Sequence, residues 1–498
     1  MPVITRATLA IGAVSAVLLT YLVRWVLQWR RLAHVPGPVF ASFSKGWMIR
    51  ESLKGRQPIA FKEVNDKYGS LARVGPNELI TDDPEVLRKM MAARSEYTRG
   101  HWYSAMKFDP TRDNLFSMRD EVAHTKLRSK MAAGYSGKEN ESMEGSIDLL
   151  IGSLVHLIET KYISTSDNYR PMDFGEKASF FTLDVISELA FGEAFGYLEN
   201  DSDVFEYLSI TKTFIPIMMV MGDVPSLANL LQSRALRGLL PSESDKLGFG
   251  AFIGIAKKLV ARRYGPDAKS HPDMLGSFIR HGLTQEEASG EALLQVVAGS
   301  DTSAGTIRTV MLNILTNPTS YSKLRKEIAD GIANGKVSSP VKDAEARQLP
   351  YLQAVLKEAM RLMPPASGAF FKTVPAGGDT INGKFIPGGT QIGSSPLGIH
   401  RSKKIFGPDA DLFRPERWIE ASPEKFDHMA GTVDLIFHYG KYQCLGRNVA
   451  LMEFNKIFVE LLRKFDFSIS RPENPANIYN AGIWIMEDFW VRCVHRES

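Results

Sequence analysis

The densest chemistry in the 498-residue chain is one short run, Phe437-His438-Tyr439-Gly440-Lys441-Tyr442-Gln443-Cys444-Leu445-Gly446. Its cysteine stands just before a predicted helix, where the dipole and free backbone N–H groups favour a thiolate. Gly440 and Gly446 permit a tight turn and the close approach of backbone to a flat group, and Phe437 can pack beside that group. A soft thiolate suits iron, and in haem it pushes electron density that favours O–O cleavage. Taken alone, a cysteine between loop glycines is more often a small buried hydrophobe.

Three other clusters carry chemistry or charge. Glu358 and Arg361 share a helix face and can pair, although an isolated pair at that spacing means little. In Ala298-Gly299-Ser300-Asp301-Thr302-Ser303, Gly299 is unfavourable inside a helix. A threonine hydroxyl there can bond back to a carbonyl one turn earlier; a packing patch of small residues is the commoner cause of such a cluster. His124 and Arg128 can point at one anion, and a solvated basic face with Lys126 and Lys130 reads equally well.

The elements that must hold these groups follow from pattern. Leu71–Val74, a Gly75-Pro76-Asn77 turn and Glu78–Thr81 read as a β-hairpin, and Asp83-Pro84 opens a short helix. Helical periodicity dominates from about 120 to 365. Its longest helix is predicted over about 285–316, with Thr284 and Glu287 as a capping box and Asn317-Pro318 as the stop. A second runs from Pro350 to Met363 before Pro364-Pro365, and a third over about 446–464 follows Cys444. Strand-like pieces return at about 370–395 and at Ile483–Val494. The fold class is mainly α with small peripheral β-sheets, as one large catalytic unit.

With 44% hydrophobic and 23% charged residues the composition is ordinary globular. A formal charge of +4 gives no reason to expect nucleic acid. Two cysteines, Cys444 and Cys493, are too few for a disulfide scaffold or a cysteine zinc site; a single bridge between them stays open, and a reducing environment is favoured. Ala7–Val23 is an apolar or small-residue run followed by Arg24, Trp25, Trp29, Arg30 and Arg31. It is just long enough to span a bilayer, with the bulk of the chain on the positive, cytosolic side. Residues 1–33 are therefore expected as a membrane anchor, 34–40 (with Val35-Pro36-Gly37-Pro38) as a stiff proline-rich hinge, and 41–498 as the catalytic domain.

The cysteine run resembles the haem-binding loop of the cytochrome P-450 family: Phe, two residues, Gly, one residue, a basic residue, one residue, Cys, one residue, Gly. Phe437, Gly440, Cys444 and Gly446 match, and Tyr442 stands where the family is usually basic. The resemblance implies that Cys444 is the axial iron ligand of haem b and that Glu358, Arg361 and Arg417 (in Phe413-Arg414-Pro415-Glu416-Arg417-Trp418) form a buried charge network. It further implies that Ala298 to Ser303 is the oxygen-activation segment, with Thr302 hydrogen-bonding dioxygen and Asp301 relaying protons. His124 and Arg128, and less directly Lys372, are implied as propionate contacts, with the Tyr442 hydroxyl as an uncharged donor there. Several segments, among them Arg73–Glu78, resemble fungal microsomal members such as pisatin demethylase.

The expected function is insertion of one oxygen atom from O2 into a small lipophilic, secondary-metabolite-like substrate at the endoplasmic reticulum membrane. No Gly-x-Gly-x-x-Gly follows a strand, so electrons are expected from a separate NADPH–cytochrome P-450 reductase, with cytochrome b5 as a possible second donor. The reductase is expected on a face carrying Lys126, Lys130, Lys441 and Arg447. Expected pocket linings are the loop at about 100–120, Phe214–Met221, Val296, Val297, Ala366–Phe370 and Ile483–Met486. Three other readings compete: a haem-thiolate isomerase or dehydratase needing no reductase, which has no use for Thr302; a non-catalytic haem-binding protein; and a membrane-anchored protein without haem.

Overall fold

A computed structural model describes residues 6–140, 142–265, 269 and 271–496. Helices dominate it, and the strands form four small sheets among the described residues, as the periodicities predict. The long helix, Gln285–Leu315, is capped by a reciprocal box: the Thr284 N–H donates to Glu287 Oε2 at 2.9 Å and the Glu287 N–H to Thr284 Oγ1 at 3.2 Å. It crosses the core and packs on the nearly all-buried helix Phe174–Phe191. A Cβ on Gly299 would sit 2.8 Å from Ile186 Cγ1 on that neighbour. The midpoint glycine is thus explained by close helix packing, the commoner of the two readings.

The second helix is Pro350–Leu362, ending before its two prolines, and the helix after the cysteine is Arg447–Lys464. In the largest sheet the expected hairpin pairs Leu71 with Thr81 and Arg73 with Leu79. Glu78–Thr81 then runs parallel to Gln391–Ser394, which pairs with the two-residue strand Lys372–Thr373. That strand is antiparallel to Thr98–Arg99, setting Arg99 opposite Lys372. The C-terminal β-like stretch resolves into Trp484–Glu487 and Trp490–His495, which belong to separate sheets. Cys444 and Cys493 are both free thiols.

The N-terminal run forms one helix, Arg6–Arg31. Among the described residues no single helix is long and apolar enough to cross a membrane. The start of the segment expected as a stiff hinge has partners in the fold. The Arg73 N–H donates to the Pro36 carbonyl at 2.8 Å, Arg73 Nη1 to the Trp29 carbonyl at 3.1 Å, and Leu32 and Val35 are buried. Proline stiffness alone reads as a spacer; the edge of the hairpin supplies the partners that hold it.

Candidate active site

One cavity of about 330 Å³ lies between the long helix and the cysteine loop. Its wall gathers Cys444, Phe437, Tyr442 and Gly446 from the loop, Ala298, Asp301 and Thr302 from the long helix, and His124 and Arg128 from the helix Glu121–Tyr135. Residues as far apart in sequence as His124 and Gly446 thus meet around one space. The expected apolar linings contribute Trp102, Phe108, Leu115, Ile215, Met218, Val297, Phe370 and Ile483; Val296 and Trp484–Met486 stand behind the wall. Gly440 is outside it too, serving the turn: its φ is +56°, and a Cβ there would collide with the Met91 carbonyl.

Cys444 ends a turn in which its N–H donates to the Phe437 carbonyl at 2.8 Å. Its sulfur opens onto the cavity and not onto bulk water, which reconciles an exposed residue with a desolvated thiol. Burial pushes the thiol up, while the N–H groups of Gly446 and Arg447 and the charge of Arg128 pull against it. Those donors aim at an anionic sulfur, and a metal bound there would complete the charge balance.

The opposite side of the loop is crowded with positive charge. Arg99, which the sequence reading missed, is buried; its Nη1 donates to the Leu115 and Met118 carbonyls at 2.7 and 2.8 Å, and its Nε has no partner. Both ring nitrogens of buried His124 are likewise unpartnered. Burial, then Arg99, Arg128, Lys372 and Lys441, push this histidine down to about 3. The unpartnered Arg99 Nε and His124 ring, beside Arg128, suit a ligand that brings anionic oxygens. A haem with its two carboxylates fits that donor set, and Cys444 fits its iron.

Tyr442 and Lys372 depart from their expected roles. The Tyr442 hydroxyl donates to Glu121 Oε1 at 2.5 Å, so it is committed to a protein carboxylate. Lys372 lies behind the ring, Nζ 3.4 Å from its centroid and 3.3 Å from the Tyr103 hydroxyl, outside the cavity wall. Arg99 faces the same ring at 4.8 Å. The position lacking a basic residue is therefore an aromatic platform on which two cations rest.

Thr302 Oγ1 donates to the Ala298 carbonyl at 2.7 Å on the cavity side. Burial raises Asp301 to about 6. Glu358, Arg361 and Arg417 meet in the core: Arg361 Nη2 reaches Glu358 Oε1 at 2.8 Å, and Arg417 Nε the same oxygen at 3.2 Å. Of the expected docking charges, Lys130 pairs with Glu287, Lys441 with Glu121 and Arg447 with Asp434; Lys126 shows no charged partner among the described residues.

Two buried acids were also missed. Glu453 sits on the apolar stripe of the helix after Cys444, a charge visible among Ala450, Phe454 and Ile457. Glu291 accepts the Leu115 N–H at 2.6 Å and so ties the 100–120 loop to the long helix. Burial raises Glu291 to about 8. The folded state therefore holds a proton that the unfolded chain has released between the ordinary carboxylate range and about pH 8, and stability falls as pH rises through that window. The thermal midpoint of Glu291→Gln is expected to fall less steeply than wild type between pH 5 and about 8.5; parallel curves would remove this role.

The cytochrome P450 family profile matches residues 37–488. The chain is 41% identical over 500 residues to the cytochrome P450 monooxygenase ABA1 of Pyricularia oryzae, covering 98% of each chain. It is 41% identical to aba1 of Botryotinia fuckeliana, covering 94% of this chain and 92% of that one. With abl1 of Leptosphaeria maculans the identity is 37%, over 94% and 84%. The chain belongs to the cytochrome P450 family, a haem-thiolate family, and it is a monooxygenase of that family.

Proposed function

We propose that this chain inserts one atom of O2 into a small lipophilic, secondary-metabolite substrate, using electrons that a separate NADPH reductase delivers. The observation that carries the reading is a single apolar cavity whose walls hold both the Cys444 sulfur and the Ala298–Thr302 segment. Haem b, held through Cys444, supplies dioxygen activation when bound. Arg99, Arg128 and His124 hold its carboxylates, with Lys372 adding charge through the Tyr442 ring. Asp301, raised to about 6, holds or releases a proton near neutral pH. The Thr302 hydroxyl stands at the cavity face with its own proton donated to the Ala298 carbonyl, which leaves its oxygen free to accept a hydrogen bond from a group in the cavity. Trp102, Phe108, Met218 and Phe370 exclude water and receive an apolar ligand.

The helix Arg6–Arg31 attaches the chain to the endoplasmic reticulum membrane, with 41–498 as the cytosolic catalytic domain. Its Ile11, Val14, Leu19, Leu22 and Leu27 are exposed, an apolar surface that water alone disfavours. The fungal relatives support the resemblance to fungal members of the family, and cytochrome b5 is proposed as a second electron donor. The test is incubation of the full chain with reductase, NADPH, labelled dioxygen and lipophilic compounds chosen by the Soret shift they cause. A product with one labelled oxygen supports the reading; a product formed without NADPH points to the isomerase or dehydratase alternative.

A further inference from the structure

The roof of the cavity is the helix Tyr207–Asp223, which contributes Ile215, Met218 and Met219 to the wall. Both its ends are tied down through carboxylates. At the far end Asp223 accepts from the Ser52 hydroxyl at 2.5 Å and from Gln57 Nε2 at 3.2 Å. At the near end the buried Tyr207 hydroxyl lies 3.0 Å from Ser300 Oγ and 3.0 Å from Asp301 Oδ2. The residue before it, Glu206, has a left-handed backbone at φ +54°, a conformation that costs energy without glycine and persists only where its surroundings hold it.

Counting protons shows what the tyrosine does. Ser300 donates its only hydroxyl proton to the Val296 carbonyl at 2.7 Å. When Asp301 carries a proton, it can donate to Tyr207, Tyr207 to Ser300 and Ser300 to the backbone, so every donor is used. When Asp301 is ionised, Tyr207 turns its proton to the carboxylate, and Ser300 keeps its carbonyl. Neither state strands a buried group, so Asp301 can change charge without breaking the roof contact. Phenylalanine at 207 would leave Asp301 without this neighbour in either state.

We propose that Tyr207 is a positioning residue for Asp301: it holds the acid against the roof helix in both protonation states and thereby ties the proton-bearing group to the helix that covers the cavity. The inference rests on the monooxygenase reading above. The other groups facing Asp301 are Tyr197 from the short helix Tyr197–Asn200 and Arg308 two turns along the long helix; Arg308 is itself tied to the Gly175 carbonyl at 2.8 Å and to the Ser179 hydroxyl.

The test uses the haem-loaded full chain, as wild type, Tyr207→Phe, Asp301→Asn and the double variant. Hydrogen–deuterium exchange without NADPH or substrate should be several-fold faster over residues 207–214 in Tyr207→Phe, with the Asp223 end unchanged. With reductase, NADPH and a compound selected by its Soret shift, the fraction of electrons lost as peroxide should change with pH around a midpoint near 6. Tyr207 bonds Asp301 in both states, but the bond to the ionised carboxylate is the stronger and so lowers this midpoint; Tyr207→Phe should raise it by about one pH unit. Asp301→Asn should abolish the pH dependence, and adding Tyr207→Phe to it should change the peroxide fraction no further. A midpoint unmoved in Tyr207→Phe, or an equal effect of Tyr207→Phe in the Asp301→Asn background, would overturn the proposal. Absence of NADPH-dependent oxygen uptake in wild type would instead defeat the monooxygenase reading, and unchanged exchange at 207–214 would still defeat the roof contact.

Discussion

Glu358→Ala is expected to destabilise the protein by about 3–5 kcal/mol and to lower its haem content with it. The Glu358 carboxylate accepts Arg361 Nε at 2.9 Å and Nη2 at 2.8 Å, Arg417 Nε at 3.2 Å, Trp418 Nε1 at 3.0 Å and the Arg414 N–H at 3.0 Å. Glu358 and Arg361 have no accessible surface and Arg417 retains 2%. Without the carboxylate, two guanidinium groups stay buried with Asp409 as the remaining acid, which reaches Arg417 at 2.7 Å but not Arg361 and is shared with Arg414 at 2.6 Å. The three carbonyls that Arg361 reaches, of His400, Ala410 and Leu412, neutralise no charge. Stranding a buried charge costs far more than losing a surface pair. Glu358→Gln, which keeps an acceptor oxygen, should lose less. Denaturant unfolding with haem quantified at each step decides it; a loss below about 1 kcal/mol would mean that the network relaxes to solvent.

Thr302→Val has the second large effect, on chemistry and not on folding. Valine keeps the shape and removes only the hydroxyl, which faces the cavity and is anchored to the Ala298 carbonyl at 2.7 Å. Removing a positioned proton-transfer group costs about 10²-fold or more in the step it serves. Product formation should fall by about that factor while NADPH oxidation continues, the electrons leaving as peroxide, and Thr302→Ser should recover most of the coupling. Unchanged coupling in the valine variant would remove Thr302 from proton delivery.

The parts legible in the sequence were those with short-range spacing. The capping box at Thr284 and Glu287, the proline stop after Leu362 and the glycine-bounded cysteine turn are each decided within a few residues. Glu358 and Arg361 also share one helix, and Arg417 joined them only through the family resemblance. Arg99 and Tyr207 were not legible, because their partners lie far away in the chain. Strand register alone sets Arg99 opposite Lys372, and helix crossing alone brings Tyr207 to Asp301, 94 residues on. Lys372 was expected at the cofactor and lies behind Tyr442 instead, since a two-residue strand fixes where it can reach. The contact of Pro36 with Arg73 was not legible for a similar reason: proline reports local stiffness and says nothing of which edge will receive it.

The central claim is thiolate ligation by Cys444, and the reduced, carbon monoxide-bound spectrum tests it most directly. Wild type should show a strongly red-shifted Soret band, and Cys444→Ala should lose it. Haem without that shift in wild type, or a shift that survives in the variant, would contradict the account.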